Sequence, residues 1–195
     1  MGLMLERSHC LLVIIDVQEA FYTNLDQADA DRFDLVTSRC AWLAGIARAL
    51  EVPVLVTEED PARNGPTRRA IVDRLPVGTQ AHPKPVFGLA DVPEILAAVE
   101  AAGRDTIVLA GAETDVCVAH SAMGLLDRGY RVVVVADATF SPGAMHEAGL
   151  DRIRHAGAEL VHGKGLYYEW ARTLEMALAF ESDNPDLVNP PGFRI

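Results

Sequence analysis

The sequence predicts a doubly wound α/β fold: one three-layer α/β/α domain built on a mainly parallel sheet. Two observations carry that expectation. Leu11-Leu12-Val13-Ile14-Ile15 and Val132-Val133-Val134-Val135 are apolar without polar alternation, as strands covered on both faces require. Between the apolar runs lie stretches of helical period, and Gly103 and Gly129 stand where helix C-caps belong. Strands alternating with helices give a parallel sheet wound in both directions.

In chain order, the first predicted strand is 10–15, followed by a long helix over 31–50. A second strand, 52–57, gives way to a polar loop at 58–66 (EEDPARNGP). Residues 74–90 form a proline-punctuated passage with a single lysine, Lys84. A helix over 92–102 leads into the buried strand 106–110, and a helix over 118–128 into the strand 131–136. A helix over 144–155, a short strand at 159–161 and a last helix over 168–179 complete the pattern. Residues 1–183 are read as the domain, and 184–195 as a Pro-rich surface extension.

Composition narrows the function. Half of the 195 residues are hydrophobic, enough for a proper core. The formal net charge of −11 argues against nucleic-acid or anionic-membrane partners. No apolar run approaches the roughly 18 residues of a membrane span, and neither end reads as a targeting segment. Cys10, Cys40 and Cys117 form neither a disulfide framework nor a CxxC pair, and the six histidines show no ligand spacing. A cytoplasmic protein without metal or cofactor, acting on a small molecule, is expected.

In an open α/β sheet, ligands bind beyond the carboxyl ends of the strands. Asp16, residues 58–60 and the turn 111–117 all fall at such ends and should share one rim. Cys117 enters a helix from a strand, where free N–H groups and the helix dipole favour a thiolate. Asp16 closes an apolar strand, so partial desolvation should raise its pKa and suit it to proton transfer. With a lysine beside them, the two groups form a workable set for acyl transfer. Cys10 and Cys40 are assigned to the core, and Asp115 to hydrogen bonding within the turn. The side chain of His120 is expected to point away from the thiol.

Three segments carry a resemblance to a known family. Leu-Leu-Val-Ile-Ile-Asp16-Val-Gln-Glu-Ala-Phe21, Lys84-Pro-Val-Phe87 and Gly111-Ala-Glu-Thr-Asp-Val-Cys117-Val, followed by Ser121-Ala122, resemble the isochorismatase-like cysteine hydrolases in the family's own order. The likeness covers residues 11–161. It implies an Asp16–Lys84–Cys117 triad, an oxyanion hole from the backbone N–H groups of Glu113 and Cys117, and a cis peptide between Ala112 and Glu113. It also implies a homo-oligomer, a dimer or larger. Phe21 and Phe87 are candidates to line the substrate pocket. Val56-Thr-Glu-Glu-Asp-Pro61 with Gly65-Pro-Thr67 resembles the YcaC-like, isochorismatase-domain-containing branch. The histidines that hold a metal in nicotinamidases have no counterpart in residues 58–69.

The expected activity is cysteine-dependent hydrolysis of a small amide or related C–N substrate through a thioester. Two alternatives stand beside it: isochorismatase-type vinyl-ether hydrolysis with Asp16 as general acid, and a non-catalytic doubly wound binding module. Against the module, the chain has neither GxGxxG after the first strand nor GxxxxGK[ST]. A redox-sensing role for Cys117 would need a resolving thiol, which neither Cys10 nor Cys40 obviously supplies.

Overall fold

In the computed structural model, which describes residues 2–20 and 22–193, six strands form one parallel sheet. They are β1 (Cys10–Ile15), β2 (Val54–Glu59), β3 (Ala81–Lys84), β4 (Thr106–Ala112), β5 (Arg131–Phe140) and β6 (Glu159–Val161). Their spatial order, β3-β2-β1-β4-β5-β6, reverses direction between β1 and β4. That reversal opens a crevice at the carboxyl ends of the two central strands, the usual ligand position in such sheets. Asp16 and Cys117 follow these two strands.

The apolar runs behave as buried strands should. Every residue of β1 and β4 is buried. Successive side chains of β1 feed opposite faces, Cys10, Leu12 and Ile14 to one core and Leu11, Val13 and Ile15 to the other. The first core is closed by α1 (Gln27–Ala49), α7 (Gly163–Ala171) and α8 (Leu174–Asp183) through Phe33, Leu43, Trp170 and Phe180. The second is closed by α4 (Pro93–Ala101), α5 (Ala119–Leu126) and α6 (Met145–His155) through Ile95, Val99, Leu125 and Ile153. Two short helices, α2 (Pro61–Asn64) and α3 (Arg69–Val72), occupy the segment between β2 and β3.

The structure departs from the sequence expectation at several places, among them β2, which starts and ends two residues later than expected. Strand β3 lies in the proline-punctuated passage; Pro83 is tolerated because β3 is an edge strand paired only with β2. The helix expected over 168–179 is two helices, broken at Arg172, whose φ of 68° is left-handed, and restarted by the Thr173 side chain accepting from the Met176 N–H. Helix α1 begins four residues early, because the Asp26 carboxylate accepts from the Asp29 N–H as an N-cap.

The described part of the tail lies across α1. Leu187 is buried, and its carbonyl accepts from the Trp42 indole N–H at 2.7 Å. Arg39 donates to the Pro191 carbonyl, and Arg74 pairs with Asp186. Among the described residues, no helix is long and apolar enough to cross a membrane.

Candidate active site

Four strand ends converge on one buried cluster. Asp16 follows β1 in the left-handed region (φ 52°), a conformation aspartate tolerates better than most residues, and this turns its carboxylate toward β2. The Thr57 hydroxyl donates to Asp16 Oδ1 at 2.8 Å, and Lys84 Nζ stands 2.6 Å from Oδ2. Both side chains of this ion pair are fully buried. The ammonium also donates to the Val86 carbonyl at 3.1 Å, which holds it in place beyond β3.

Cys117 arrives from β4. The chain makes a cis peptide at Ala112–Glu113 and one π-helical turn, Thr114–Val118, before α5 begins. Close packing fixes that turn. Gly149 of α6 sits so near it that a Cβ there would lie 2.7 Å from the Asp115 nitrogen. The Ser141 hydroxyl donates to Asp115 Oδ1 at 2.5 Å and accepts from the Asp115 N–H at 3.3 Å, the hydrogen-bonding role expected of this aspartate. Thr114 Oγ1 of the turn lies 2.9 Å from His146 Nδ1 of α6.

The sulfur lies among charges. Its S–H donates to Glu59 Oε2 at 3.2 Å. Asp16, Glu59 and Cys117 bring a ligand atom each to within 4.8 Å of one another, a spacing a metal ion could use. The Lys84 ammonium already on Asp16 opposes a divalent cation there. Burial raises the Asp16 pKa against the lowering pull of Lys84 and the Thr57 hydrogen bond. For Cys117 the sequence-based expectation of a favoured thiolate fails. Burial, then the Asp16 carboxylate, raises the thiol well above its ordinary value; Glu59 adds to the rise, and Lys84 only partly offsets it. The sulfur thus sits beside two carboxyl groups, which disfavour its thiolate form.

Sequence reasoning placed Glu59 on the shared rim but gave it no role, and passed over Gln18. The Gln18 side chain is buried, accepts from the Glu59 N–H at 2.8 Å, and donates to the carbonyls of Glu59 (3.0 Å) and Gly65 (2.7 Å). It thereby ties the end of β2 to the loop after β1. An amide two residues beyond a catalytic-looking aspartate, inside a buried run, was the available signal. Glu58 turns the other way, accepting from the Thr67 N–H and hydroxyl at 2.7 Å each.

A cavity of about 550 Å³ opens onto this cluster, lined by Glu59, Lys84, Pro61, Pro83, Pro85 and Phe87, among others. Phe87 is half-exposed on its wall, edge-on to the His120 ring at 5.9 Å. Phe21, the other expected pocket residue, lies outside the described residues.

Residues 10–164 match the family model described as the isochorismatase domain. The chain belongs to the isochorismatase family. Isochorismatase domain-containing protein 2 of Bos taurus is 32% identical over 161 residues, spanning 82% of this chain and 74% of that protein. The probable hydrolase YcaC of Escherichia coli is 27% identical over 193 residues, 95% of this chain and 91% of its own. The YcaC crystal structure, described as an octameric hydrolase of unknown specificity, superposes with a TM-score of 0.80 at 23% identity, covering 96% and 94% of the two chains. A Caenorhabditis elegans structure described as MAR1 ribonuclease superposes at 0.84 with 22% identity and 98% of each chain covered. These superpositions fix the fold of this isochorismatase-family hydrolase as the six-stranded α/β sandwich described above.

Proposed function

We propose that this isochorismatase-family chain hydrolyses a small amide or related C–N substrate, with Cys117 as nucleophile, Asp16 as proton carrier and Lys84 as the electrostatic anchor of both. The observation that carries this reading is the buried 2.6 Å Asp16–Lys84 pair within reach of the Cys117 sulfur. A fully buried ion pair is a costly arrangement for stability alone. Activation rests on an adjacent base rather than on a low thiol pKa.

In the acylation step the Cys117 sulfur bonds the carbonyl carbon as the thiol proton passes to Asp16. The carbonyl oxygen becomes an oxyanion, held by the backbone N–H groups of Glu113 and Cys117. The C–N bond then breaks, and Asp16 returns its proton to the departing nitrogen. Water next attacks the thioester and gives a proton to Asp16, the C–S bond breaks, and the proton returns to sulfur. Lys84 keeps the Asp16 charge tolerable in a buried site throughout. Metal-independent chemistry, a homo-oligomeric state as described for YcaC, and a cytoplasmic setting complete the proposal.

The ribonuclease description belongs to the nematode neighbour. A formal charge of −11 opposes binding of a phosphate backbone, so it is not carried over.

A panel of small amides, assayed by amine or ammonia release, tests the reading. Turnover is expected in the parent chain and in neither Cys117→Ala nor Asp16→Asn. Loss in Asp16→Asn alone would instead mean that the aspartate acts without the thiol, as in vinyl-ether hydrolysis. Because burial raises Asp16, kcat/KM should fall in acid with an apparent pKa above the ordinary aspartate value of 3.8. A profile flat down to that value would remove Asp16 as the base.

A further inference from the structure

Glu59 lines the cavity and also accepts from the Cys117 S–H. The sulfur itself is almost fully buried, so a molecule entering through this cavity meets the Glu59 carboxylate on its way to the thiol.

The charges around that path do not balance. Asp16 and Lys84 neutralise each other at 2.6 Å, and the remaining capacity of the Lys84 ammonium is turned to the Val86 carbonyl. Glu59 has no such counter-charge: among the described residues, no lysine, arginine or histidine lies within ion-pair distance of it, and its partner is the Cys117 thiol. Asp60 adds a second carboxylate to the cavity wall. The rest of the wall is Lys84, already paired with Asp16, and the apolar Pro61, Pro83, Pro85, Val86 and Phe87.

We propose that Glu59 is a specificity-determining residue, which restricts the site to amides whose reacting end is uncharged or cationic and repels carboxylates and other anions. The inference rests on the hydrolase reading for the word amide, but the charge selection itself is a property of the approach to Cys117. An apolar wall ending in an unpaired carboxylate accommodates a small hydrophobic body carrying an amino, amidino or neutral carbamoyl group. The same carboxylate disfavours a dicarboxylate ether and a polyphosphate chain. One uncompensated charge a few ångströms from the reacting atom, in a partly desolvated site, separates cation from anion by roughly tenfold or more in rate.

Thiol labelling reads this field without any turnover. Rates of Cys117 modification would be followed by intact mass with three methanethiosulfonates: methyl (neutral), aminoethyl (cationic) and sulfonatoethyl (anionic). Cys117→Ala serves to subtract reaction at Cys10 and Cys40. Each rate is divided by that of N-acetylcysteine amide, which removes intrinsic reactivity, and the neutral reagent absorbs any change in thiol pKa. In the parent chain the cationic reagent is expected to outpace the anionic one by roughly tenfold. Glu59→Gln, close in shape and still able to accept from the thiol, should collapse most of that ratio. High salt should compress the ratio in the unmodified chain, a check that needs no variant. An unchanged ratio in Glu59→Gln, a faster anionic reagent, or no Cys117 labelling by any of the three would overturn the proposal. Selectivity for the cationic reagent together with an inactive amide panel would leave the charge selection standing and sink the hydrolase reading.

Discussion

Lys84→Met is expected to destabilise the fold by about 3–5 kcal/mol at neutral pH, the range found when one partner of a buried ion pair is removed. Methionine fills a similar volume, so little of the loss is packing. What remains is Asp16, fully buried, with the Thr57 hydroxyl still donating to one oxygen and no cation at the other. The sign of the pH dependence follows from that geometry. Without Lys84 the folded pKa of Asp16 climbs further above its unfolded value of 3.8, so folding takes up a proton. The deficit is therefore smallest in acid, where Asp16 is protonated in both states. It grows as pH rises past the parent's folded value, itself above 3.8, and is complete above the higher folded value of the variant. Urea unfolding of the variant at pH 5 and pH 8 measures this directly. The double variant Asp16→Asn/Lys84→Met removes both charges and should recover a large part of the loss. A Lys84→Met variant as stable as the parent at pH 8 would mean that the ammonium does not neutralise Asp16.

Gly111→Ala is expected to cost on the order of 3–5 kcal/mol, through backbone rather than side-chain contacts. Gly111 is paired with Ile15 at the carboxyl ends of β4 and β1, and its φ of 120° is one that side chains rarely adopt. A Cβ there would lie 2.0 Å from the Ile15 carbonyl oxygen and 2.7 Å from its nitrogen. Neither atom can yield without moving a central strand. The displacement would fall on the residue just before Asp16 and on the approach to Cys117, so stability and turnover should fall together. Thermal unfolding should show a Tm lower by roughly 10 °C or more. A Tm within about 2 °C of the parent would mean that the two strands are not held this closely.

These expectations rest on features of very different legibility. Strand β1 was delimited from sequence alone, and β4 and β5 were placed correctly at their starts, because unbroken apolar runs have few other uses; β6 was delimited too, although Glu159–Val161 is no such run. Asp16 and Cys117 were legible for a related reason: each is polar or reactive at the mouth of such a run. Strand β3 was hidden, since Pro83 and Lys84 read as loop, and only the pairing with β2 makes them an edge. The break at Arg172 left no glycine or proline to mark it. Glu59 sits in a run of three acidic residues that looks like a solvated loop; the Gln18 clamp that orients it spans 41 positions. The thiol pKa was misjudged for the same reason. A helix N-terminus is visible in sequence, whereas two carboxylates folded against the sulfur are not.

The central claim is that Cys117 becomes acylated, and an activated ester tests it without knowledge of the natural substrate. The chain would be mixed with p-nitrophenyl acetate, quenched in acid and weighed intact, beside Cys117→Ala and Asp16→Asn. The account predicts one acetyl group on Cys117 that forms and decays in the parent chain, is absent from Cys117→Ala, and decays more slowly in Asp16→Asn. Acetylation equal in the parent and in Cys117→Ala, or none at Cys117 while the ester is still hydrolysed, would contradict it.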